Sequence, residues 1–176
     1  MANICSFILR VKGTKEARES FSNFFGDGKS GVKLDAHIDI EKQDESDATI
    51  TSLYGWCKWS VGSTLFTPYK ETLQELTTEM LTKIVAGESF EDIYISLTSA
   101  CKVLELEVQI ASEEQGVGFT EFYWVNTKGE IVEKIVTKIS NNEVLGDWVR
   151  EGWDDDLGEE DILEKEYSKV YSLFTI

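Results

Sequence analysis

The chain has 176 residues, of which 41% are hydrophobic and 11% aromatic, enough for one buried core and too many for a disordered chain. Seventeen basic residues stand against 33 acidic ones, a net charge of −16 at pH 7, which argues against gripping DNA, RNA or an anionic membrane through a broad basic face. The single histidine, His37, excludes a multi-histidine metal centre, and no apolar run nears the ~18 residues of a membrane span.

The chain opens as a strand over Asn3–Val11. Cys5, Phe7, Leu9 and Val11 occupy alternate positions and form one apolar face. Gly13 ends the strand, and Thr14 caps a helix predicted to run to about Phe25. Ala17, Phe21, Phe24 and Phe25 share one side of it at spacings of 4, 3 and 1 residues. Gly26 and Gly28 close this helix and open a polar loop.

The chain then reads as β to Val61. A first strand is expected over Lys33–Glu41, a charged turn over Gln43–Asp47, and a second strand from Ala48 through Leu53 into Tyr54–Val61. Leu65–Lys70, with the only proline, Pro68, reads as a connection. Two helices are predicted next. The first covers about Glu71 to Val85, with Leu73, Leu76, Met80, Leu81 and Ile84 as its stripe. Ser89 caps the second, with Asp92 three residues on and Phe90, Ile93, Tyr94, Leu97 and Cys101 as its buried face. Leu104–Ile110 alternates strictly and predicts a half-buried strand. Glu113–Gly118 reads as a turn. Phe119–Val125 and Glu130–Ile139 read as strands of a hairpin, with Gly129 supplying a positive φ.

From Asn141 the composition shifts. Between Glu143 and Glu166 lie 11 acidic residues and only two basic ones, Arg150 and Lys165, a net −9 within 24 residues. Trp148 and Trp153 are interspersed, and a helix is expected over about Gly158–Leu173, with Ile162, Tyr167, Val170 and Tyr171 apolar. The aromatics predict a tail that docks on something.

Three cysteines, Cys5, Cys57 and Cys101, are odd in number and widely spaced, and no signal-peptide pattern precedes them. They are expected as reduced, buried thiols in a bacterial cytoplasm. His37 stands between Asp35 and Asp39 on what alternation makes an exposed face, and no second cue supports acid–base work. Asp154–Asp161 lacks the alternating ligands of a calcium loop, so no metal or other cofactor is expected. Gly28-Lys29-Ser30 lacks the earlier glycine of a phosphate loop. Trp56, Lys58 and Trp59 are expected as sheet aromatics under a helix, since the charge opposes a base-stacking platform.

The element order is that of a ferredoxin-like α+β sandwich, a mainly antiparallel sheet with helices on one face. Residues 1–140 would form it, and residues 141–176 an acidic, partly helical extension packed on or beside it. The opening Met1-Ala2-Asn3-Ile4-Cys5-Ser6, the segment Tyr54-Gly55-Trp56-Cys57-Lys58-Trp59, and Gly116-Val117-Gly118-Phe119 before an aromatic strand resemble the YubB ferredoxin-like domain family. The likeness covers about Met1 to Val136. Cys57 departs from the smaller polar residue more usual in that family, and the early tryptophan often seen there is missing. The resemblance implies the fold and an origin in phages or plasmids. It implies no established activity and no catalytic residue.

Charge and implied origin together lead to the expectation of a non-enzymatic inhibitor of the anti-CRISPR or anti-restriction type. It would present a nucleic-acid-like acidic surface to the basic groove of a nucleic-acid-binding protein or nuclease complex, binding neither nucleic acid nor membrane itself. Asp154, Asp155, Asp156, Glu159, Glu160, Asp161 and Glu164 would carry the charge, with Trp148 and Trp153 as apolar anchors. The alternative is an acidic interaction module without mimicry, whose partner could be a second copy of the chain.

Overall fold

In the computed structural model, residues 4–26, 30–43, 49–68, 70–114 and 118–138 are described. Strand β1 (Ile4–Lys12) turns at Gly13 into helix α1 (Lys15–Ser22). Thr14 caps α1 as expected, its hydroxyl accepting from the Ala17 amide at 3.2 Å. The helix stops at Ser22, and Phe24 and Phe25 lie beyond it, still buried.

The expected single strand over Lys33–Glu41 is two strands in different sheets, β2 (Val32–Lys33) and β3 (His37–Gln43). The break at Leu34–Ala36 has a backbone cause. Leu34 N donates back to Phe24 O at 2.7 Å, and Gly26 N donates to Ala36 O at 3.2 Å. Both bonds tie this bend to the end of α1. Strand β4 (Ile50–Lys58) follows, and then a single π turn (Gly62–Phe66) stands where the sequence predicted plain connection. Its i→i+5 bond runs from Thr67 N to Gly62 O at 3.3 Å.

Each of the two predicted helices is a short strand followed by a shorter helix. Residues 73–74 form β5, and α2 covers only Thr78–Val85, capped by Thr77. Ile93–Ile95 is β6, and α3 runs Leu97–Leu104 from a Ser96 cap. Strands β2 and β5 pair in parallel with β6 in a small three-stranded sheet. The β-branched pair Ile93 and Ile95 suits a strand, and the Ile93 and Tyr94 amides go to Gly31 O and Thr72 O rather than to a helix ladder. Leu73, expected on a buried stripe, is exposed.

Strands β7 (Glu107–Glu114), β8 (Phe119–Val125) and β9 (Ile131–Lys138) form a meander. Leu104, expected to open β7, ends α3 instead, and Glu113 and Glu114, expected in a turn, are buried strand residues. Gly129 has φ of +75° in the β8–β9 hairpin, as expected.

The main sheet has the order β3-β4-β1-β7-β8-β9 and is antiparallel throughout. The molecule is thus α+β. One sheet face, with Phe7, Leu9, Leu53, Val108 and Ile110, packs against Phe21 of α1, Leu97, Ala100, Cys101 and Leu104 of α3 and Leu65 of the π turn. The other face gathers Ile8, Tyr54, Ala111 and Phe122, with Trp124 beside them. Among the described residues, no helix is long and apolar enough to cross a membrane.

Candidate functional site

The residues with the strongest functional expectation, Trp148, Trp153, Asp154, Asp155, Asp156, Glu159, Glu160, Asp161 and Glu164, lie outside the described residues, as do Gly28-Lys29 and the predicted helix at Gly158–Leu173. The described residues contain a different polar constellation, built where the π turn meets β8.

Cross-strand register brings it together. Cys5 of β1 faces Cys57 of β4, and Ser112 of β7 faces Glu121 of β8. Both pairs point toward the helices. Glu121 is buried, and its carboxyl oxygens take the first amides of the π turn: Val61 N at 2.8 Å and Gly62 N at 3.3 Å. Tyr123 donates its hydroxyl to the same group at 3.1 Å, and Ser112 Oγ donates at 3.4 Å. The Tyr123 ring stacks on Phe66 at 4.3 Å, and Lys134 Nζ lies 5.3 Å from its centroid. Gly62 allows the approach: a Cβ there would sit 2.6 Å from the Tyr123 hydroxyl oxygen.

Every polar contact here satisfies a buried donor of the fold itself. Glu121 therefore acts as a side-chain cap for an irregular turn. Burial, then the nearby Glu121 charge, pushes the Tyr123 hydroxyl well above its usual range. That makes it a poor proton donor near neutrality. Sequence reading missed Glu121; the only available cue was an acid inside an otherwise apolar-aromatic strand, Phe119–Val125.

All three thiols are free and buried, as expected. The Cys5 thiol is pushed up by its hydrogen bond to Cys57 and by desolvation, and Cys101 by desolvation. A nucleophile needs the thiolate, which both environments disfavour. We expect none of the three thiols to react with a maleimide at pH 8 in the folded protein, and all three to react in denaturant. Rapid labelling of any one in native buffer would contradict their burial.

His37 stacks on Trp56 across the β3–β4 ladder, centroids 4.3 Å apart. Asp35 lies in the bend before β3 and is held by Lys70 at 3.4 Å. The expected alternation of Asp35, His37 and Asp39 on one strand is therefore broken at its first member. Trp56 is half-buried on the sheet face away from the helices, and Trp59 is exposed with φ of 71°. These correct the expectation of aromatics packed under a helix. The reason is register: Trp56 pairs with Ser6, on the opposite face from Phe7. Among the described residues, no three of His, Cys, Asp and Glu come together as a metal site.

Glu113 is 2% exposed, and its Oε1 makes no hydrogen bond among the described residues. Desolvation, then the Glu114 charge, raises its pKa. The folded state therefore holds this proton more tightly than the unfolded chain does, and its stability falls as pH rises through the raised value. Glu113→Gln removes that term. We expect the variant to melt higher than the parent at pH 8 and to lose this advantage near pH 4; an equal melting difference at both values would contradict the assignment.

Compared with known protein families, curated proteins and solved structures, the chain matches none.

Proposed function

We propose that this is a non-enzymatic inhibitory protein that presents its acidic surface, in place of nucleic acid, to the basic groove of a nucleic-acid-targeting defence complex. The observation that carries the reading is charge density: a net −16 overall, with −9 between Glu143 and Glu166. Duplex DNA carries one charge per ~1.7 Å of axis, so a protein surface must crowd its carboxylates to compete for the same groove. Local pairing supports this, since Lys15, Lys33, Lys70 and Lys83 are each matched by a carboxylate of their own fold. Each such pair is neutral, so the net −16 is carried by the acids that outnumber the bases.

We also read the core as ferredoxin-like and akin to the YubB domain. The sub-order β3-β4-β1-β7, with α1 after β1 and α3 before β7, supports a βαββαβ unit, to which β8 and β9 add. The proposal is tested by capture from a bacterial lysate at low and high salt. The intact protein is compared with one carrying Asn or Gln at 154–156 and 159–161. Salt-sensitive capture of a nuclease or guide complex by the intact protein alone is expected. Equal capture by both proteins would defeat mimicry and leave the interaction module.

A further inference from the structure

We propose that Cys5 and Cys57 form a redox-responsive pair, joined by a disulfide bond when the chain folds in the presence of a low-molecular-weight disulfide. The observation is cross-strand register. Cys5 of β1 stands directly opposite Cys57 of β4, and both side chains belong to the cluster under the helices. The Cys5 thiol hydrogen-bonds Cys57. In this structure both are free thiols.

The ladder sets their separation. Gly13 N donates to Thr49 O at 3.0 Å, one step beyond the Lys12–Ile50 pair. Backbone polar groups alternate sides along a strand, so the odd-numbered residues of β1, back to Cys5, turn theirs toward β4. Cys5 and Cys57 are therefore a hydrogen-bonded pair, with Cα atoms ~5.5 Å apart. Disulfides span ~4.4–6.8 Å between Cα atoms, most often near this value. Cys101 lies on α3 and takes no part in this ladder.

The step is thiol–disulfide exchange. One protein thiolate, its proton given to solvent, attacks a sulfur of the small disulfide; that S–S bond breaks and one small thiolate leaves. The second protein thiolate attacks the protein sulfur of the mixed disulfide and expels the other. Two protein thiols are oxidised, and one small disulfide is reduced to two thiols, which take up the two protons. Both cysteines are buried once the sheet has closed, so the exchange belongs to the folding chain, where thiols titrate near their ordinary ~8.5. The bond would fasten β1 to β4 just before Val61, where Glu121 caps the π turn. The inference stands apart from the acidic-surface reading, and either can fail alone.

The test refolds the full chain from denaturant in a glutathione buffer, with reduced glutathione alone or mixed with glutathione disulfide. Trypsin places the three cysteines on separate peptides, 1–10, 43–58 and 84–102. With the disulfide present we expect peptide 1–10 joined to 43–58, and 84–102 left as a thiol. An unfolded chain would close differently, because Cys57 and Cys101 are 44 positions apart and Cys5 and Cys57 are 52. A Cys57–Cys101 link in the majority, links between chains, or no link at all would each overturn the inference. As a second measurement, the cross-linked protein should melt roughly 5–15 °C higher than the reduced one, and Cys57→Ser should melt alike from both buffers. A cross-linked protein that melts no higher, or an equal rise in Cys57→Ser, would also overturn it.

Discussion

Glu121→Ala is expected to be the most damaging single substitution outside the apolar core. It strands the Val61 and Gly62 amides and the Tyr123 hydroxyl in a buried site. Each unsatisfied buried group costs ~1–3 kcal/mol, so a total of about 3–5 kcal/mol is reasonable. Domains of this size hold ~5–15 kcal/mol and lose ~2–4 °C per kcal/mol, so the melting temperature should fall by roughly 10–15 °C. Glu121→Gln keeps one acceptor and should fall between the two. Thermal melts by circular dichroism decide the matter. A drop below ~2 °C for the alanine variant would mean that water or a neighbour replaces the carboxyl group, and the capping role would be withdrawn.

Gly55→Ala is expected to cost nearly as much, by a different route. A Cβ at this position would lie 2.0 Å from His37 O and 3.0 Å from both His37 C and Phe7 Cζ. The first contact is with backbone, which no rotamer change relieves. Strand β3 would have to move outward, weakening its pairing with β4 at Ile38–Gly55 and His37–Trp56. Overpacking typically costs ~1–3 kcal/mol, and lost ladder bonds add about 1 kcal/mol each. Amide exchange should therefore speed up along β3 while β1 and β7 stay protected. Uniform protection across all strands, with unchanged stability in urea, would show that the clash is absorbed.

Legibility in the sequence differed by element for physical reasons. Strand β1 was readable because period-2 alternation and the Gly13-Thr14 junction agree. The hairpin at Asn126–Gly129 was readable because glycine tolerates the positive φ found there. The two long helices were misread because Leu73, Leu76 and Met80, and Phe90, Ile93 and Leu97, recur at helical spacing. That spacing is shared by a buried strand joined to a short helix, and parallel pairing with β6 decided between them. Glu113 and Glu114 looked like turn residues, and Glu121 in its strand drew no notice, because acids are mostly exposed. Their burial depends on neighbouring strands that no local pattern reports.

From sequence alone came the α+β class, the apolar face of β1, three buried thiols and the concentration of negative charge after Asn141. These follow from short-range periodicity and composition, which act within a few residues along the chain. Only the tertiary structure decided the strand order, the second parallel sheet, the π turn and its Glu121 cap, and the stacking of His37 on Trp56. Each rests on contacts between residues far apart in sequence: 60 positions separate Val61 from Glu121. Such contacts form where long-range pairing satisfies buried donors and apolar surface better than the local preference of either segment.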